Sequence, residues 1–119
     1  MPAEQRDRDI IEHILRYCSQ IETAHQDFGH SRQRFDQSTT YQNAIAMCIL
    51  QIGELVGHLT DTFKETNDKI PWHKIRGMRN YVAHEYGSID LDIVWYAATN
   101  SINDLKSFCA DWISAHSAT

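Results

Sequence analysis

Apolar residues recur at three- and four-residue steps through long blocks of this chain, and almost nothing interrupts them. Ile10, Ile11, Ile14, Cys18, Ile21 and Phe28 mark the first block, with charges between them. That spacing lays one apolar stripe along an α-helix and predicts an amphipathic helix from about Glu4 to Asp27, ended near Gly29. A polar stretch containing Phe35 follows. The second block runs through Tyr41, Ala44, Ile45, Cys48, Ile52, Leu55 and Leu59, with candidate N-caps in Ser38 to Thr40. Met47, Leu50 and Val56 widen its apolar arc, which places this helix centrally.

Thr60 opens a short helix in LTDTFKE, and Asn67 and Asp68 break the chain before Pro71, a residue favoured at the first turn of a helix. A third long helix is therefore expected from about Pro71 to Tyr86, with Gly87 as its stop. Asp90 caps a last helix carrying Leu91, Val94, Ala97, Ile102, Leu105, Phe108, Cys109 and Trp112. Five glycines and two prolines in 119 residues leave room for such helices, and no strand-type alternation is sustained. The expectation is one all-α domain over 1–119: an antiparallel bundle of four main helices plus a short one, with frayed ends at 1–5 and 115–119.

Several function classes are excluded at once. No apolar run is long enough to cross a bilayer, and the opening MPAEQRDRD has no apolar leader. Cys18, Cys48 and Cys109 are odd in number and far apart, so they read as buried small hydrophobes in a reducing, cytoplasmic setting. His13, His25, His30, His58, His73 and His116 show no metal-ligand spacing, so neither a metal nor a cofactor is expected. The net charge of -5 argues against a protein that coats nucleic acid, and DNA binding is not expected. A local basic site is still allowed. Between Lys64 and Arg79 stand five Lys or Arg against Glu65 and Asp68, a net +3. That field attracts a phosphate backbone within a Debye length.

The chemistry gathers on the third helix, in RGMRNYVAHEYGSID. At about 100° per residue, Asn80 and His84 nearly align, whereas Arg79 and His84 stand about 140° apart and flank a groove. A histidine can serve as base or acid near neutral pH, and a helix C-terminus favours the imidazolium. An arginine holds phosphate bidentately and stabilises a charge-rich transition state. Metal-free RNA cleavage needs these parts: a base for the ribose 2′-OH, a cation for the phosphorane, an acid for the leaving oxygen. One chain supplies one such histidine, so a two-fold dimer with the site at its interface is expected. Arg76, Lys74 and His73, about a turn or two before Arg79, are candidate phosphate contacts; Trp72, Trp95 and Trp112 are expected in the core or a dimer interface, with base stacking a lesser role for Trp72 near the helix start. R-x4-H alone is a weak pattern. The ordinary alternative is that Arg76 and Arg79 pair with Glu85 or with acids on a neighbouring helix.

Arg79 to Tyr86 resembles the R-x4-H-x-Y motif of the HepT-like branch of the HEPN family. Ile52-Gly53-Glu54 is similar to the family's I-G-E on the central helix, and Trp72, Ile75 and Met78 to its W-x-x-I-x-x-M. Gly87 to Trp95 is similar to G-I-D-x-x-x-V-W, with Ser88 inserted between Gly87 and Ile89. The resemblance implies a helical homodimer that cleaves RNA without a metal, with Arg79 and His84 catalytic and Asn80 a polar helper. It also implies a toxin of a toxin–antitoxin pair, silenced by a minimal nucleotidyltransferase antitoxin, in some members through attachment of AMP to the tyrosine that matches Tyr86. A catalytically silent dimeric binding module for a nucleotidyltransferase or a nucleotide is the other reading. Gly53 costs about 1 kcal/mol against alanine within a helix, which points to close approach of another helix. Glu54 is expected at the core edge, with orientation of Arg79 or Arg76 as a lesser role.

Overall fold

Side-chain oxygens start several of the helices, and prolines precede two others. The computed structural model describes residues 2–116. Helix α1 (Ala3–Asp27) ends where Gly29 and His30 both take positive φ, 70° and 53°. Ser31 then accepts from the Arg34 amide to start α2 (Arg32–Gln37), and Ser38 accepts from the Tyr41 amide to start α3 (Thr39–His58). Thr60 caps α4 (Asp61–Thr66) in the same way. Pro71 leads into α5 (Trp72–Glu85), which tightens into a single 3₁₀ turn over Tyr86–Ser88. Asp90 caps α6 (Leu91–Tyr96), which continues through a π turn (Ala97–Ser101) into α7 (Ile102–Ala115). Each cap satisfies an amide that a helix start leaves orphaned.

The expected all-α bundle is present, with two differences. The polar stretch around Phe35 is a second short helix, α2, because Ser31 caps it and Phe35, fully buried, anchors it against Tyr41 and Trp95. Residues 3–5 and 115, expected as frayed ends, belong to helices. The Arg6 amide bonds the Pro2 carbonyl, the Arg8 guanidinium donates to the His116 carbonyl, and His116 stacks on Trp112. Met1 and residues 117–119 lie outside the described residues.

Helix α3 sits centrally, packed on α1, α2 and α5, while α7 returns along α1. Its core side chains, Tyr41, Ile45, Ile49, Ile52 and Val56, meet Ile11, Ile14 and Ile21 of α1 and Val82 of α5 in one apolar cluster. Each aliphatic chain buried there contributes about 1.5–3 kcal/mol. Cys18, Cys48 and Cys109 are free and buried; desolvation pushes the Cys18 thiol up to about 12 and that of Cys48 to about 11.

Two polar residues lie inside. The Asp7 carboxylate accepts from the Thr60 amide (2.9 Å) and hydroxyl (2.7 Å), fastening α1 to the corner between α3 and α4. His25 is buried among aromatic rings: it stacks on His30 and stands edge-on to Tyr41 and Trp95. Its Nδ1 accepts from the Tyr41 hydroxyl, and its Nε2 donates to the Ala98 carbonyl in the π turn. Burial holds the His25 imidazole below its ordinary value of 6.5, with His30 adding to the effect. The unfolded chain therefore binds a proton that the folded chain resists. This stability is fully present above pH 6.5 and drains away as pH falls below it, by at most about 1.4 kcal/mol per pH unit. Urea midpoints measured from pH 7.5 down to 5.5 should fall, and His25→Gln should flatten that slope; an equal slope in both proteins removes His25 as the cause.

Candidate active site

The two arginines of α5 are seated by glycines of α3. A Cβ on Gly53 would stand 2.1 Å from the Arg79 Cβ and 3.3 Å from its Cα, so the helix backbones touch at this crossing. One turn on, a Cβ on Gly57 would meet the Arg76 guanidinium at 2.9 Å. The glycine pair forms a trough that takes the stem of Arg79 and the head group of Arg76. The expected close approach at Gly53 is met by Arg79 itself.

Glu54 closes the trough. Its Oε1 lies 3.3 Å from Arg76 Nη1, which also donates to the Gly53 carbonyl at 3.0 Å. The same oxygen lies 2.5 Å from Arg79 Nε, although that N–H is not aimed along the line, so the contact is charge pairing rather than a formed hydrogen bond. Arg79 Nη1 turns the other way and donates to Asn80 Oδ1 at 3.1 Å. Thus Arg79 is held from both sides while its side chain stays 30% exposed. The acid on a neighbouring helix is Glu54; Glu85 instead accepts from the Ser88 hydroxyl.

Asn80 and His84 are exposed on the solvent side of α5, and His84 makes no hydrogen bond or ion pair among the described residues. Trp72, Ile75 and Val82 fill the opposite, buried face. His84 falls in the last turn, where the following 3₁₀ turn carries Tyr86 outward, 44% exposed, with its hydroxyl donating to Asn43 Oδ1 at 3.1 Å. His73 and Lys74 are exposed at the other end of α5, about 16 Å from His84 at 1.5 Å per residue. Within one chain the structure therefore gathers Arg76, Arg79, Asn80 and Glu54, and leaves His73 and Lys74 apart. Glu54 offsets part of the local positive charge counted along the sequence. Trp72 is buried against Phe63 and Phe108, its indole N–H donating to the Asn67 carbonyl, so no face is open for stacking.

Among the described residues no three His, Cys, Asp or Glu side chains converge as a metal site, and no helix is long and apolar enough to cross a membrane.

An all-α bundle that carries an arginine, its polar neighbour and an exposed histidine across R-x4-H on one helix has the form of a HEPN-type domain. The ribonuclease HepT-like family model matches residues 9–111, and the chain belongs to that family. It is 31% identical over 99 residues to a protein of Caldanaerobacter subterraneus subsp. tengcongensis named "Putative RNase", covering 83% of this chain and 87% of that one. A protein of Thermococcus cleftensis named "Probable ribonuclease HepT" is 25% identical over 83% of this chain and 88% of its own. A Methanocaldococcus jannaschii protein named "Putative RNase" is 28% identical over 78% of each. No solved structure matches the chain.

Proposed function

We propose that this protein is a metal-independent endoribonuclease acting as a two-fold dimer. The observation that carries the reading is the Arg79 guanidinium, held in place by Glu54 and Asn80, with an exposed His84 that has no side-chain partner among the described residues one turn beyond Asn80, in a family described by ribonuclease activity. In the reaction, one His84 takes the 2′-OH proton and the oxygen attacks phosphorus. Arg79 stabilises the phosphorane, and the His84 of the second chain protonates the departing 5′-oxygen. The products are a 2′,3′-cyclic phosphate and a 5′-hydroxyl. Met47, Ile93 and Tyr96 are large, exposed apolar side chains. They supply apolar surface that a second copy would cover.

In the cell this activity is that of a toxin whose antitoxin is a minimal nucleotidyltransferase. The exposed Tyr86 hydroxyl, its only partner among the described residues the exposed Asn43 amide, is reachable by such an enzyme. An AMP on it adds a phosphate that competes for Arg79 and a base that blocks entry. The reading is tested by incubating the purified protein with RNA in EDTA. Cleavage to cyclic-phosphate ends by a species of twice the chain mass supports it; RNA bound but uncut would favour the silent binding module. Co-expression with the partner should add the mass of AMP to Tyr86 and abolish cleavage, and Tyr86→Phe should escape. Silencing without added mass would mean steric control.

Glu54→Gln has a distinctive expected signature. The variant keeps the shape but releases both guanidinium groups, so RNA phosphate no longer competes with a carboxylate, and Arg79 loses its fixed direction. KM and kcat should fall together, kcat by roughly 10- to 100-fold, the scale of a misplacement of about 1 Å. Unfolding should move by no more than about 1 kcal/mol, because the pair is half exposed. A raised KM with unchanged kcat would show that Glu54 does not position Arg79.

A further inference from the structure

Beside Tyr86 the bundle carries a cleft that the reaction steps above do not use. About 190 Å³ in volume, it is lined by Phe35, Gln42, Asn43, Tyr86, Gly87 and Val94, with Ser88, Ile89 and Leu91 at its sides. None of these side chains is charged. A phosphate finds no cation here, whereas a neutral planar ring finds apolar surface in the half-buried Ile89 and Leu91 and the exposed face of Tyr86. The volume suits one ring system and excludes a whole nucleotide.

Two amides supply hydrogen bonds. Gln42 Nε2 is spent on the Phe35 carbonyl (2.7 Å) and the Asp36 carbonyl (3.2 Å), which fixes that side chain. Asn43 Oδ1 accepts from Tyr86 and retains a second lone pair, while its Nδ2 has no partner among the described residues. An asparagine amide with a donor and an acceptor side by side matches adenine, whose N6–H donates and whose N7 accepts. A 6-keto purine presents two acceptors on that edge and faces the Asn43 oxygen with its own. Gly87 leaves the mouth open: no atom lies within 4 Å of where its Cβ would stand, and its φ is not in the left-handed range.

We propose that this cleft holds one unpaired adenine of the RNA, about 10 Å along the chain axis of α5 from Arg79 and so beyond the nucleotide whose phosphate Arg79 engages. The base identity rests on the ribonuclease reading only in naming RNA as its source. The cleft's chemistry does not. The first test uses ¹⁵N-labelled protein and free adenosine, which has no phosphate. At millimolar adenosine the Asn43 side-chain amide and the Gly87 amide should shift, inosine at equal concentration should move them far less, and Gly87→Leu should abolish the response. No shift, an equal shift with inosine, or a response surviving in Gly87→Leu overturns the proposal. In the second test, short RNAs carrying one adenosine or one inosine at the scanned position are compared by kcat/KM. Wild-type protein should prefer adenosine, and Asn43→Ala should shrink that preference by roughly 5- to 100-fold. A wild-type ratio of one also overturns it. Adenosine shifts in a protein that cuts no RNA would instead sink the ribonuclease reading and leave the cleft standing.

Discussion

His84→Ala and Arg79→Ala should each slow RNA cleavage by about 10²–10⁴-fold, the range of a general acid–base group and of a donor aimed at developing charge. The two losses have different structural costs. His84 is exposed, and its side chain has no partner among the described residues, so its removal should leave stability within about 0.5 kcal/mol of wild type. Arg79→Ala strips the pairing with Glu54 and the stem packed on Gly53, yet Glu54 keeps Arg76 at 3.3 Å, so no buried carboxylate is orphaned. Arg79→Lys should recover little. A lysine carries one compact charge where the arginine reaches Glu54 through Nε and Asn80 through Nη1. Single-turnover cleavage in EDTA, read beside thermal unfolding, checks all three. Activity retained in His84→Ala, or a loss that tracks unfolding rather than chemistry, would remove these residues from the reaction.

The same residues show what a sequence reveals and what it withholds. Helix positions were legible because each start carries its own signal: Ser38, Thr60 and Asp90 cap the helices they were expected to cap, and Gly29 ends the first. Helix α2 was missed because six residues are too few to display a period. Ser31, three residues before the Arg34 amide it caps, was the available clue. The R-x4-H spacing located the candidate chemistry but could not say which way each side chain leans. That is set by α3, whose Gly53 admits the Arg79 stem, whose Gly57 admits the Arg76 guanidinium, and whose Glu54 claims both head groups. Counting charge from Lys64 to Arg79 left out Glu54, some 10 positions before that window opens. Buried Asp7 and His25 were also invisible as partners, although each falls one turn from an apolar neighbour, before Ile11 and after Ile21. A polar residue on an apolar stripe is the signal that was there to be read.

Gly53→Ala is expected to be the most damaging single methyl in the protein. The new Cβ would lie 2.1 Å from the Arg79 Cβ, whereas ordinary contact begins near 3.4 Å, and the nearest atoms belong to the base of the side chain and the backbone rather than to a free end. A rotamer change cannot relieve that, so α3 and α5 must separate by about 1.3 Å, the difference between those distances. Separation loosens Ile75 and Val82 against α3 and pulls Arg79 from Glu54. Overpacking of this kind costs about 1–3 kcal/mol, against which the helix propensity of alanine returns about 1. The trough offers its own controls. Gly57→Ala meets only the mobile end of Arg76, at 2.9 Å, which can swing aside. Gly77→Ala, exposed on α5 with nothing within 4 Å, should stabilise the chain by about 0.5–1 kcal/mol. Urea unfolding of the three variants should therefore rank Gly77→Ala above wild type and Gly53→Ala lowest, with cleavage lost most in Gly53→Ala because Arg79 moves with its helix. If Gly53→Ala unfolds no earlier than Gly57→Ala and cleaves as wild type does, the helices do not cross at Gly53, and Arg79 is not held by that crossing.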